Sequence, residues 1–214
     1  MPRLERPQAG GQNPATKFLS WKSDNKCFSY YDKNKQENVK VELPLKVLFL
    51  EHYHTVKGWN DKNQSGIYSN EVYGISKEEI EVKMFKGGTI AKGLYKDNKE
   101  IINNAGGRYH RSIYAMLENG DIVNISLKGA AVKSYSDFYN DNNRLLDNQF
   151  IEVNEFSLEK KGKVEYTVPI FSAGGFISNE VDSLANKSAK ELQDYVNRYN
   201  KKEEVEEENE EDLF

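Results

Sequence analysis

The 214-residue sequence has one cysteine, Cys27, so neither an internal disulfide nor a cysteine-based metal cage can form. Prolines number five. Three of them (Pro2, Pro7, Pro14) stand in the first sixteen residues with Gly10-Gly11, Arg3 and Arg6. That density breaks helices and strand ladders alike, so residues 1–16 read as a flexible basic N-terminal arm. No run reaches the roughly 18 apolar residues that a spanning helix needs, and the first residues lack the apolar stretch of a secretory signal. A cytoplasmic protein with no membrane partner is expected. Phosphate loops are missing as well: Gly87-Gly88-Thr89, Gly106-Gly107-Arg108 and Gly174-Gly175 have neither GxxxxGK[ST] spacing nor GxGxxG before a long helix. Nothing reads as a nucleophile elbow, and Cys27 has no activating base beside it. The expectation is a non-enzyme without a cofactor.

Charge is distributed unevenly. The last twelve residues, Glu203 to Phe214, hold eight acids and no base. Taking those eight from the 34 acids leaves 26 against 30 bases, a net of +4 for the body. A mildly basic body joined to an acidic run permits a polyanionic partner. The run is of disordered composition, so residues 201–214 read as a disordered acidic tail. Its final Asp212, Leu213 and Phe214 offer a ring for an apolar pocket and a carboxylate for a cation.

Short alternating segments dominate the rest. Phe18–Trp21 and Phe28–Tyr31 flank a turn at residues 23–26 as a hairpin. Val39, Val41 and Leu43 share one face of a strand, and an apolar run spans residues 47–56, followed by a polar loop over 58–66. Strands are predicted over 80–86, 89–94, 112–117, 122–127, 150–158 and 164–171, with Asn119-Gly120 as a hairpin turn. Helical spacing covers 130–139 and 178–200, where Val181, Leu184, Leu192, Tyr195 and Val196 form an apolar face, with a break at Asn186 open. This pattern is mainly β, a barrel or sandwich with helical additions and a C-terminal helix; the Greek-key OB barrel is one candidate.

Aromatic residues number 25 (13 Tyr, 10 Phe, 2 Trp), and several neighbour a base, as in Trp21-Lys22, Lys57-Gly58-Trp59 and Arg108-Tyr109-His110-Arg111. Rings that stack on bases beside cations that neutralise phosphates are what a single-strand binder uses. The alternative is that the rings fill β-sheet cores, where they are favoured anyway. His52 and His54 alternate and so share a strand face, with Glu51 and Glu71 as conceivable carboxylates, but the pair lacks a third ligand nearby. A position on the sheet surface against nucleic acid is the preferred reading for them, and a metal-dependent nuclease the rival.

An aromatic, basic, β-rich body with an acidic tail ending in Phe resembles the phage-type single-stranded DNA-binding proteins. The blocks Phe28-Ser29-Tyr30-Tyr31-Asp32-Lys33, Leu43-Pro44, Tyr68-Ser69-Asn70-Glu71-Val72 and Lys128-Gly129-Ala130-Ala131 carry the likeness within residues 17–140. The resemblance implies an OB-fold-like domain over 17–200, sequence-independent binding of single-stranded DNA in replication or recombination in a bacterial host cytoplasm, and a tail that competes with DNA and recruits a polymerase, primase or helicase. On that reading Trp21, Tyr31, Trp59, Tyr73, Phe85 and Tyr109 stack on bases, and Lys22, Lys57, Lys83, Arg108 and Arg111 meet phosphates. Residues 150–200 exceed a minimal OB domain and leave a homodimer open. The other reading is a virion assembly protein whose acidic tail docks a partner.

Overall fold

The computed structural model describes residues 13–211, with side chains as far as 198. Strands β1 (Lys17–Lys22), β2 (Cys27–Asp32), β3 (Glu37–Val41), β4 (Leu45–Asn60), β5 (Ser65–Ser69), β6 (Glu79–Met84) and β7 (Gly88–Leu94) precede helix α1 (Tyr95–Ala105). Strands β8 (Gly107–Met116) and β9 (Ile122–Lys128) lead into α2 (Ala130–Asn142). The hairpin β10 (Gln149–Lys161) and β11 (Val164–Phe176) leads into α3 (Asn179–Glu211).

The strands pair in the order β3-β2-β1-β9-β8-β4-β5-β6-β7, with the β10–β11 hairpin attached to the start of β4 through Leu45–Val47. Neighbours are antiparallel except β1 and β9, which run parallel. A barrel closes only when its end strands pair. Here β3 and β7 end a nine-strand path without meeting. The sequence reading of an OB-like barrel therefore gives way to a mainly β fold built on an open mixed sheet, with a C-terminal helix.

Alternation along each strand separates two faces. On one, Leu19, Ile113, Val123, Ile125 and Leu127 meet Ala131, Tyr135 and Phe138 of α2 and Ile151, Val153 and Phe171 of the hairpin. Farther along, Val56, Ile67, Ile80 and Val82 pack on Ile102 of α1. Each such fully buried aliphatic contributes about 1.5–3 kcal/mol. The other face is covered at one end only: Leu192 of α3 joins Ala15, Tyr53, Tyr114 and Ile122, with Tyr195 and Val196 against them.

Two elements, β5 and α1, lie where the sequence pattern predicts none. Helix α1 has a single buried side chain, Ile102, and ends on Gly106 in the left-handed region (φ 102°), a glycine C-cap. Helix α3 continues unbroken past Asn186 and through Glu211, beyond position 201, where the disordered tail is expected to begin. Glutamate is a good helix former. The arm expected to be flexible through residue 16 is anchored over its described part: Asn13 Nδ2 donates to Tyr114 Oη (3.0 Å), and Thr16 N–H to the Ile122 carbonyl (2.8 Å). Residues 150–198 pack on the chain's own sheet, through β10 on β4 and α3 on the second face.

Candidate nucleic-acid interface

The uncovered part of the second face is a trough whose floor includes the small side chains of Ser20 and Ser126. Ser29, Ser20, Ser126 and Ser112 stand in register across β2, β1, β9 and β8. One row away are Phe18, Asn124 and Tyr114; the row on the other side holds Lys128 and His110. The trough runs from Phe18 past Ser20 and Ser126 to the β9–α2 corner and encloses about 1240 Å3. Four bases border it, Lys22, Lys57, Arg108 and Lys128, against one acid, Asp24. The buried Ser29 Oγ, Ser126 Oγ and His110 Nδ1 have no hydrogen-bond partner among the described residues. Burial and the nearby Lys57 and Lys128 hold the His110 pKa down at about 3, so the ring is neutral at pH 7.

A smaller cavity of about 360 Å3 opens beside the trough and shares Phe18 and Lys57 with it. Tyr195 and Val196 of α3 form one wall, and Tyr53, Tyr68, Phe85 and Tyr114 bring further rings. Tyr114 Oη donates to Glu71 Oε2 (2.9 Å). Burial lowers the Lys57 pKa, and the Glu71 carboxylate partly restores it. Phe85 stacks on Tyr68 with centroids 4.5 Å apart. It lies over Gly66, where a Cβ would come within 2.9 Å of its ring. Trp59 sits across from Gly66 in register, two residues beyond Lys57 and thus on the same face.

Of the rings named from the sequence, Tyr31, Trp59, Tyr73 and Phe85 are each more than half exposed, Phe85 at 75%. Tyr31 follows Ser29 by two and shares the trough's face. Tyr73 packs on Tyr53, hydroxyl to hydroxyl at 3.2 Å. Among the cations, Lys22, Lys57 and Arg108 border the trough, and Arg108 also donates to the Asn103 and Gly107 carbonyls. Lys83 shares the ring-bearing face across from Tyr68 and pairs with Glu81 (2.7 Å).

Three placements differ from expectation. The Trp21 ring turns to the covered face, where its indole N–H donates to the Thr167 carbonyl (2.9 Å) and it meets Phe28 edge to face, and Trp21 borders the trough from that side. Tyr109 and Arg111 likewise turn to the covered face and grip His54, Tyr109 also bordering the trough. Arg111 donates to His54 Nε2 (3.0 Å), which leaves Nδ1 as the N–H donor to Tyr109 Oη (2.6 Å). His52 Nδ1 meets Tyr135 Oη (2.9 Å) beneath α2, so the two histidines are half-buried on the covered side of the sheet and do not face the trough. Burial and Arg111 hold both of their pKa values at about 4. No cluster of three or more metal-ligating side chains occurs among the described residues. Phe18, Tyr68, Asn124 and Lys128 belong to the site and were not among the binding residues named from the sequence. For Phe18 the signal was present, because its alternation with Leu19 puts it opposite the core. Asp212, Leu213 and Phe214 lie outside the described residues.

Among the described residues no helix is long and apolar enough to cross a membrane. Comparison with known protein families, with curated proteins and with solved structures gave no match.

Proposed function

We propose that the chain binds single-stranded nucleic acid, DNA in the first instance, along the uncovered face of its sheet and with little dependence on sequence. The observation that carries this reading is the interleaving of exposed rings (Phe18, Trp59, Tyr73, Phe85) with Lys22, Lys57, Arg108 and Lys128 on that one face. Rings offer stacking platforms, cations offer phosphate contacts, and together they suit a strand whose bases are unpaired. An OB barrel, as the resemblance implies, is one frame for such a surface; an open sheet presents the same two components. Duplex DNA hides its base faces and gains only the charge term. In the replication role the resemblance implies, Asp212, Leu213 and Phe214 recruit a polymerase, primase or helicase, and removing residues 203–214 tightens strand binding.

Fluorescence anisotropy of a labelled oligo-dT, with a duplex of equal length alongside, tests the proposal. Salt-sensitive binding of the single strand in clear preference to the duplex is expected. Binding of neither overturns it and favours the assembly-protein reading.

A further inference from the structure

The β10–β11 hairpin is longer than its packing requires. β10 pairs with β4 only through Ile151–Val153. Among the described residues, the hydrogen bonds nearest its tip that hold it to the rest of the fold are at Thr167. There the backbone N–H donates to Ser23 Oγ (2.7 Å), Oγ1 donates to the Ser23 carbonyl (2.8 Å), and the carbonyl receives the Trp21 indole N–H. Leu158 stands opposite Thr167, and three further rungs follow, Glu159–Tyr166, Lys160–Glu165 and Lys161–Val164. At 3.4 Å per residue they carry the turn roughly 10 Å past Thr167. Every residue from Leu158 to Glu165 is exposed, Leu158 at 67% and Val164 at 65%. A two-stranded ribbon is marginal on its own, so rungs that bury nothing contribute little to the fold.

The position and charge of these rungs point to a ligand. Tyr166, Thr167 and Val168 border the trough together with Lys22 and residues Ser23, Asp24 and Asn25 of the β1–β2 turn. The hairpin therefore leaves the fold at the trough's rim. Beyond the rim it has three bases, Lys160, Lys161 and Lys163, and two acids, Glu159 and Glu165. Both acids are engaged: Glu165 pairs with Lys160 (3.6 Å), and Glu159 accepts from the Tyr166 hydroxyl (3.1 Å). Lys161 and Lys163 have no ion-pair partner among the described residues. Lys26, on the β1–β2 turn and over the Phe156 ring (5.6 Å), adds a cation at the same end. Two uncommitted lysines attract a polyanion, and their continuity with the trough favours the strand that lies there over an acidic protein segment.

We infer that the hairpin tip is a second contact for the bound strand, where Lys161 and Lys163 take phosphates of nucleotides that leave the trough past Thr167. This deepens the nucleic-acid reading and rests on it. The contact is to the backbone alone, so it lengthens the footprint without adding any preference for sequence.

The test is a salt titration of oligo-dT binding by the full chain, with a strand of about 16 nucleotides, the upper end of usual site sizes. The tip variant carries Lys161→Ala and Lys163→Ala. A control variant carries Lys33→Ala and Lys35→Ala, which removes equal charge from the exposed turn at the other end of β2. All four side chains are exposed, so neither variant should lose stability. Four trough cations and two tip lysines should give wild type a log–log slope near about −4, at roughly −0.7 per phosphate. The tip variant should fall to about −3 and bind about tenfold more weakly at 0.15 M salt, while the control keeps the wild-type slope. A tip variant with the wild-type slope overturns the inference, leaves the trough standing and turns the tip over to an acidic protein partner. An equal drop in both variants also overturns it, because net charge alone then accounts for the effect. Absence of binding by wild type removes the function and the second contact together.

Discussion

Replacing Phe85 by alanine separates binding from folding. With the ring 75% exposed, only about a quarter of its burial energy is at stake for the fold. From about 1.5–3 kcal/mol for a fully buried side chain, that is roughly 0.5 kcal/mol. The stacked Tyr68 beneath it has a ring of its own to close the gap. If Phe85 is a stacking platform, its loss removes about 1–3 kcal/mol of binding per base, which is about 5- to 150-fold in Kd. Trp21→Ala is the counterpart. It removes the hydrogen bond to the Thr167 carbonyl and the edge contact with Phe28, so several kcal/mol of stability are expected to go; because Trp21 only borders the trough from the covered side, the change in Kd of the folded variant should be smaller than for Phe85→Ala. Anisotropy with oligo-dT and urea denaturation of both variants give the four numbers needed. An unchanged Kd in a folded Phe85→Ala variant, or a large loss of affinity in a stable Trp21→Ala, would refute the assignment of faces.

Four cations border the trough; at roughly −0.7 per phosphate neutralised on a single strand, their share of the log–log salt slope should be near about −3, and a slope near zero would remove the phosphate role. His52 and His54 have folded pKa values of about 4, and His110 of about 3, all below the ordinary value of about 6.5. The unfolded chain therefore takes up protons first on acidification, so their contribution to stability is intact above about pH 6.5 and is lost as pH falls towards 4. A urea midpoint that does not change between pH 6.5 and 4 would contradict neutral, half-buried rings. A Cβ on Gly106 would sit 2.1 Å from the Trp59 carbonyl oxygen at φ +102°. Gly106→Ala should cost more than the roughly 1–2 kcal/mol of a left-handed alanine, read from the same midpoint, and should weaken oligo-dT binding by displacing Trp59.

Alternation along the strands was legible in the sequence, and so were most strand positions. The pairs of adjacent ring and base were where it misled. Neighbours on a strand point to opposite faces, so in Trp21-Lys22 and Arg108-Tyr109 the bases stand on the face of Ser20 and Ser126 while the rings turn to the other and border the trough from the covered side. The i, i+2 pair Lys57 and Trp59 kept both members together. Which face is covered depends on α2 and the hairpin, both more than 100 residues from Trp21, and no local pattern encodes that. β5 was hidden because Ser65, Gly66 and Ser69 are not strand formers by composition. Its place is fixed by pairing, with Ser69 Oγ receiving the Val56 N–H (2.8 Å). Helix α1 was hidden because one buried side chain, Ile102, leaves almost no periodic signal. Asn124 reads as one polar residue in an apolar strand until the register with Phe18 and Tyr114 is known.

The parallel pairing of β1 with β9 imposes an order on synthesis. The β1–β2–β3 meander emerges from the ribosome first, yet the strand that covers its inner edge is not complete until Lys128 has been made. For about a hundred residues of elongation β1 presents unpaired N–H and C=O groups beside Leu19 and Phe28, a combination that invites pairing with other chains. Ala15 and Asn13 then wait longer still, for Leu192 and Tyr195 of α3. The first strand made is thus among the last to be secured, and that long-range closure, more than any local element, sets the expected pace of folding.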